Sequence, residues 1–274
     1  MKTILLPTDF SGNSKNAINW AIQFYSKEEV NFILLHSYHS LQSGASSVVS
    51  INEILRKQAV EDLKNYKEEL ERTFENKKHT FGYEAIYGDA IHAVETTTKG
   101  KENVFVVVGA KGMSGVEKLF FGSNTSEIIK NSSTPVFVIP ENVTFNSIDK
   151  IAIAVDFQKN IKDDLFQPVL EILIKSKAQL RPFYVENSEV VIDEKTEQEV
   201  TNEYVKQLNQ QQFTITKINE EDPLTGVQKY IHSHNIDLLV LVNRKKSFLE
   251  RLFHKSFSKQ VALHTDTPLL ILHD

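Results

Sequence analysis

Three glycines and a serine carry the first chemical signal in this chain. Gly109, Gly112 and Gly122-Ser123 stand in the pattern G-x2-G-x9-G-S, directly behind the apolar run VFVVV at 104–108. With Gly115, the stretch GAKGMSGVEKLFFGSNT takes four of the chain's ten glycines. Glycine costs backbone entropy, so a cluster marks unusual dihedrals or a close approach. Gly109 is expected to end a strand where a Cβ would block a ligand. Gly112 lets the backbone bend so that N–H groups turn inward as an anion nest. Gly122-Ser123 opens a helix whose free N–H groups and dipole favour a phosphate, and the Ser123 hydroxyl adds a donor. The spacing is neither the P-loop G-x-x-x-x-G-K-[ST] nor the dinucleotide G-x-G-x-x-G. Lys111 faces either a phosphate or solvent. Asp9, at the end of TILLPTDF (3–10), either joins a ligand site or caps the first helix. Gly88-Asp89 reads as a strand end and a helix cap.

These residues need strands and helices to hold them. Lys2–Thr8 reads as a strand, and Ser11–Ser26 as a helix with Ala17, Trp20, Ala21 and Phe24 on one face. Ser11 or Asn13 can cap it. Strands follow at Asn31–Ser37, His79–Tyr87, Asn103–Val108 and Pro135–Ile139. Helices are predicted at Ser50–Glu75, Ala90–Thr98 and Ser123–Ser132. Alternating strands and helices imply a parallel sheet covered on both faces. Strand order 3-2-1-4-5 puts the first and fourth strands side by side at a switch point, where open α/β sheets bind ligands.

The chain then says the same thing again. TILLPTDF (3–10) matches KIAIAVDF (150–157), VEKLFFGS (116–123) matches LERLFHKS (249–256), and TPVFVIP (134–140) matches TPLLILH (267–273). We read two homologous domains, 1–142 and 148–274, joined by the polar stretch Glu141–Ser147. Strands of the second are expected at Lys150–Val155, Gln179–Val185, Phe213–Asn219, Leu238–Val242 and Pro268–Leu272. Its loop, NRKKSFLERLFHKSF, has lost every glycine: Asn243 stands for Gly109 and Lys255 for Gly122. Long side chains sit where a phosphate needs bare backbone, so the second domain is not expected to bind a nucleotide. The basic run Arg244–Lys255 is either an anion or acidic-partner contact or a solvated loop with Leu249, Leu252 and Phe253 packed inward. Asp156 is expected to survive as a helix cap.

Composition excludes several functions. There is no cysteine, so no disulfide framework, thiolate metal site or cysteine nucleophile. Net charge is −5 with both signs dispersed, which favours no nucleic-acid partner. No apolar run is long enough to span a membrane, and MKTILLPTDFSG breaks at Pro7 too early for a signal peptide. A cytoplasmic protein is expected. H-E-x-x-H and G-x-S-x-G are missing, and His232 and His234 diverge at i, i+2. Neither a catalytic residue nor a metal site is therefore predicted.

The glycine spacing behind a strand, with Pro7-Thr8-Asp9 closing the first strand and LLHSY (34–38) closing the second, resembles the universal stress protein family. Both halves take part, so the chain is similar to a tandem member. The resemblance implies two tandem five-stranded parallel-sheet domains of the adenine-nucleotide alpha-hydrolase-like type, packed as a pseudo-dimer through their last strands. It implies stress-response signalling with ATP, possible Mg2+ on the phosphates, and an adenine nucleotide as partner. Carried over by position, the binding residues are Pro7, Thr8, Asp9, Ser37, Val108, Gly109, Lys111, Gly112, Gly122, Ser123 and Asn124. Asp9 lies by the adenosine, Ser37 by the adenine, and the glycine loop around ribose and phosphates. Two such chains can associate further as a homodimer. Three functions remain: a nucleotide-binding signalling module, a slow ATPase or nucleotide-dependent transferase, and a ligand-free dimerisation scaffold.

Overall fold

The structure is a computed structural model of all 274 residues. It describes residues 1–39, 48–113, 116–120, 122–157, 161–186, 192–209, 214–244, 262–263 and 266–274. The chain divides into two units. The first is Met1–Ala110 with Gly122–Phe145; the second is Lys111–Phe121 with Asn146–Asp274.

In the first unit the elements run β1 (Lys2–Pro7), α1 (Gly12–Phe24), β2 (Val30–Tyr38), α2 (Val48–Thr73), β3 (His79–Tyr87), α3 (Ala90–Thr98) and β4 (Val104–Met113). After β5 (Val116–Phe120), which belongs to the second unit, come α4 (Ser123–Asn131) and β6 (Val136–Pro140) of the first. The sheet order is β3-β2-β1-β4-β6, all parallel, which is the 3-2-1-4-5 expected from the sequence. Ile4, Leu5, Leu6, Val106, Val107 and Val136–Ile139 are fully buried, as strands covered on both faces must be. Helix α1 lays Trp20 and Phe24 on Phe137 of β6, and Tyr25 near Phe32 of β2. On the opposite face of β3, Thr97 of α3 donates to Glu84 at 2.9 Å. The linker begins on this unit. Phe145 meets Trp20 edge-on at 5.6 Å, and Asn16 Nδ2 donates to the carbonyls of Pro140 and Val143.

The second unit repeats the plan with β7 (Lys150–Ala154), α5 (Gln167–Ser176), β8 (Gln179–Glu186), α6 (Glu194–Gln207), β9 (Thr216–Asn219) and α7 (Pro223–His234). It ends with β10 (Leu238–Asn243), β11 (Ala262–Leu263) and β12 (Leu269–His273). Its order, β9-β8-β7-β10-β12, is again 3-2-1-4-5. One difference between the halves bears on the site. Helix α1 opens at Gly12, directly behind Asp9, whereas α5 opens only at Gln167, far past Asp156.

Two features depart from the sequence reading. First, β4 runs on through Gly112 to Met113 and turns back as β5. Lys111 pairs with Phe120 and Gly112 with Leu119, antiparallel, with a register shift at Gly112/Met113. Strand β5 also pairs with β11, Phe120 against Ala262. A bent nest was expected at Gly112, but the backbone there is an extended ribbon. Second, among the described residues the next helix after Asp156 is α5, and its N-cap is Phe166, not Asp156. The inward packing expected of Leu249, Leu252 and Phe253 falls outside the described residues.

Candidate functional site

The site forms where β1 ends beside the middle of β4; Gly109 was expected to end that strand, but β4 continues to Met113. Thr8 extends β1 by one rung, its N–H donating to the carbonyl of Leu35 at 2.8 Å. The chain then turns sharply into α1. Phe10 holds φ of 62°, an uncommon conformation for a bulky residue. Its N–H is caught by the Thr8 hydroxyl at 2.9 Å, and that hydroxyl also bonds Ser14 Oγ at 3.0 Å. Ser11 is the N-cap of α1, accepting from the Ser14 N–H. Asp9 accepts from both the N–H and the hydroxyl of Ser11 on Oδ1. Burial works to raise the Asp9 pKa, but the hydrogen bonds from Ser11 and Ser14 outweigh it and hold the carboxyl below its ordinary 3.8. Asp9 is therefore an anion at neutral pH, presented at the surface. An anion there repels phosphate and suits a sugar hydroxyl, an amino N–H or a cation.

The depressed pKa gives a pH prediction. The stabilisation from Asp9 is present above the unfolded-state value and is lost as pH falls through the folded one. Asp9→Asn is expected to be less stable than wild type at neutral pH, with the gap closing on acidification below 3.8. Urea unfolding of both proteins across that range checks it. A gap independent of pH would contradict it.

Gly109 has a structural reason to be glycine that the sequence reading missed. A Cβ built on it would lie 2.5 Å from the Asn13 carbonyl oxygen and 3.2 Å from the Ser14 nitrogen. What comes close is the first turn of α1, backbone on backbone. The first turn of α4 lies on the same residue of β4: the Thr125 hydroxyl donates to the Gly109 carbonyl at 3.0 Å. The N-cap of α4 is Gly122, with no side-chain cap bond. Helices α1 and α3 are by contrast capped by Ser11 and Asp89. The amides of Ser123 and Asn124 thus lie in an exposed first turn with no side chain to serve them. A Cβ on Gly122 would meet nothing within 4 Å. An uncapped helix N-terminus of this kind fits a phosphate.

Ser37 lies near the end of β2, and the parallel register, Pro7 with Leu35, brings it level with Asp9. Its neighbour His36 bonds the Thr8 carbonyl through Nδ1 at 2.7 Å and packs under the Phe10 ring at 5.0 Å. Pro7, Thr8, Asp9, Ser37, Val108, Gly109, Gly122, Ser123 and Asn124 all lie in the first unit, at the ends of β1 and β2, in the middle of β4 and at the start of α4. Lys111 and Gly112 lie in the ribbon, within the second unit. The sequence reading passed over Ser14, Thr125, Phe10 and the backbone of Asn13. A hydroxyl one turn behind Asp9 was the available signal for Ser14. Among the described residues no group of three or more His, Asp or Glu could hold a metal ion.

The counterpart site in the second unit is built differently. Arg244, directly behind β10, is not a solvated residue: its side chain is 8% exposed, against 5% for Asp156 and 11% for Asp274. Nε donates to Asp156 Oδ2 at 3.0 Å, Nη2 to Asp156 Oδ1, and Nη1 to Asp274 Oδ2 at 3.0 Å. Asp274 Oδ1 also accepts from the N–H of Lys162. Phe157, Ile161, Leu165 and Phe166, in the chain between β7 and α5, are buried. Tyr204 is fully buried beneath; burial, then the Asp156 carboxylate, push its hydroxyl pKa up, so it stays protonated.

Residues 1–140 and 147–273 each match the sequence model of the universal stress protein family. The chain belongs to that family. It carries two tandem universal stress domains. Universal stress protein MJ0531 of Methanocaldococcus jannaschii is 32% identical over 142 residues, spanning 50% of this chain and 81% of the relative. Universal stress protein YxiE of Bacillus subtilis is 24% identical over 144 residues, 50% of this chain and 97% of the relative. A universal stress protein from Archaeoglobus fulgidus superimposes with a TM-score of 0.71 at 16% identity, covering 98% of this chain and 97% of that one. That likeness bears on the fold. No described helix is long and apolar enough to cross a membrane.

Proposed function

We propose that the first unit of this universal stress protein binds an adenine nucleotide, ATP in the first instance, at the ends of β1 and β2 beside Val108 and Gly109 of β4. The phosphates lie on the uncapped first turn of α4, against Gly122, Ser123 and Asn124. Asp9 takes a ribose hydroxyl, and Ser37 lines the base side with Pro7, Thr8 and Val108 behind. Lys111 and Gly112 belong to the proposed set through their place in the glycine motif. The observation that carries this reading is the α4 N-terminus, left without a side-chain cap beside Gly109 of β4. The second unit binds no nucleotide and serves as scaffold, because its switch point is filled by its own side chains. The division 1–142 and 148–274, a pseudo-dimer of the two halves, a homodimer of the chain, cytoplasmic location and a role in stress signalling belong to the same proposal.

Binding without turnover is the expected behaviour. Of the ionisable side chains at the site, Asp9 and His36 are both tied into bonds to the backbone around α1. Neither is arranged to position an attacking water. Scanning calorimetry with Mg-ATP tests the assignment. At a hundredfold excess over Kd the nucleotide contributes about 2.7 kcal/mol to the unit that binds it. Only the first unit's transition is expected to move, with no phosphate released on the timescale of the scan. Movement of the second unit's transition alone would overturn the assignment.

A further inference from the structure

The second switch point holds a charged group that the nucleotide reading does not use. Three strands deliver it: Asp156 from the end of β7, Arg244 from β10 and Asp274 from β12. The guanidinium is planar, and it meets Asp156 through two parallel bonds, the geometry that gives Arg–carboxylate pairs their strength. Its remaining arm takes Asp274. The first unit shows what the same positions do otherwise. There Ala110 stands directly behind Gly109, and Asp9 turns outward to accept from Ser11, the cap of α1. In the second unit α5 starts late, the intervening chain folds Ile161, Leu165 and Phe166 inward, and Asp156 turns in to the cation.

We infer that Arg244 is an internal ligand of the second unit: its guanidinium occupies the switch point and latches the ends of β7, β10 and β12 together. The inference rests on the second unit's own geometry and stands whether or not the first unit binds ATP. Two nearly buried carboxylates share one guanidinium, so removing it takes a bonded counter-charge from both. The arrangement also explains why the glycines could be lost here. With the site closed from within, no backbone amide is needed for a phosphate.

Chemical rescue tests this. Arg244→Ala in the full chain is expected to lower the melting temperature of the second unit by about 10 °C. Methylguanidinium at millimolar concentration should restore much of that loss, while leaving the wild-type transition unmoved. Asp274→Asn, which weakens one arm and keeps the shape, should lower the same transition by about half as much. It also keeps the test open if Arg244→Ala does not fold. A wild-type melting temperature in both variants would overturn the latch. So would a second-unit transition in Arg244→Ala that methylguanidinium moves no more than it moves the wild type.

Discussion

Gly109→Ala is expected to destabilise the first unit by about 3 kcal/mol, the upper end of the cost of forcing one carbon into a packed interior. The reason is local. The new Cβ would lie 2.5 Å from the Asn13 oxygen and 2.7 Å from its carbonyl carbon, and both are backbone atoms that no rotamer change can move. Helix α1 would have to shift off β4. Two consequences follow along the chain of contacts. The Thr8–Ser14 bond and the Ser11 cap sit in the first turn of α1, so the setting of Asp9 is disturbed with the helix. Trp20, on the same helix, packs between Phe24, Phe137 and Phe145, so its fluorescence should report the shift. Urea unfolding followed through this one tryptophan makes the measurement. A variant as stable as wild type would show that α1 is not pressed against β4 as described.

Gly122→Lys should have the opposite signature. Gly122 has ordinary φ of −57°, and a Cβ there points into open space. The fold is expected to be unchanged within about 0.5 kcal/mol, as for surface substitutions elsewhere. Nucleotide affinity, by contrast, should fall about 100-fold or more, which is about 2.7 kcal/mol of binding. A long side chain at the mouth of α4 crowds the amides of Ser123 and Asn124, and its charge does not replace their directed bonds. The second half carries Lys255 at this position in sequence, so the variant copies a change the chain already contains. Unchanged affinity in a folded Gly122→Lys protein would remove α4 from the binding site.

The pair of glycines shows what could be read from the sequence and what could not. The repeat, the alternation of strands and helices and the 3-2-1-4-5 order were legible because apolar runs at 4–6, 104–108 and 136–139 read as buried parallel strands. Ser11 and Asp89 were legible as caps because a hydroxyl or carboxylate before an amphipathic run has a direct use for the free amides. That Gly109 is a glycine was visible; why was not. The spacing suggests a ligand, but the atom in the way belongs to Asn13, brought there by a tertiary turn that no local pattern encodes. The ribbon of β4 and β5 was missed for the same reason. Its second strand, Val116–Phe120, is short, and its outer partner β11 comes from sequence far away. Arg244 read as one more basic residue of a loop, because a buried ion pair needs partners from β7 and β12 that the sequence places far apart.

The central claim is that one unit of two binds nucleotide. Isothermal titration of the purified, nucleotide-stripped chain with Mg-ATP tests it most directly. The structure and the motif together predict one site per chain, absent in Gly122→Lys. Two sites per chain would contradict the closed second switch point, and no binding at millimolar ATP would contradict the nucleotide site of the first unit.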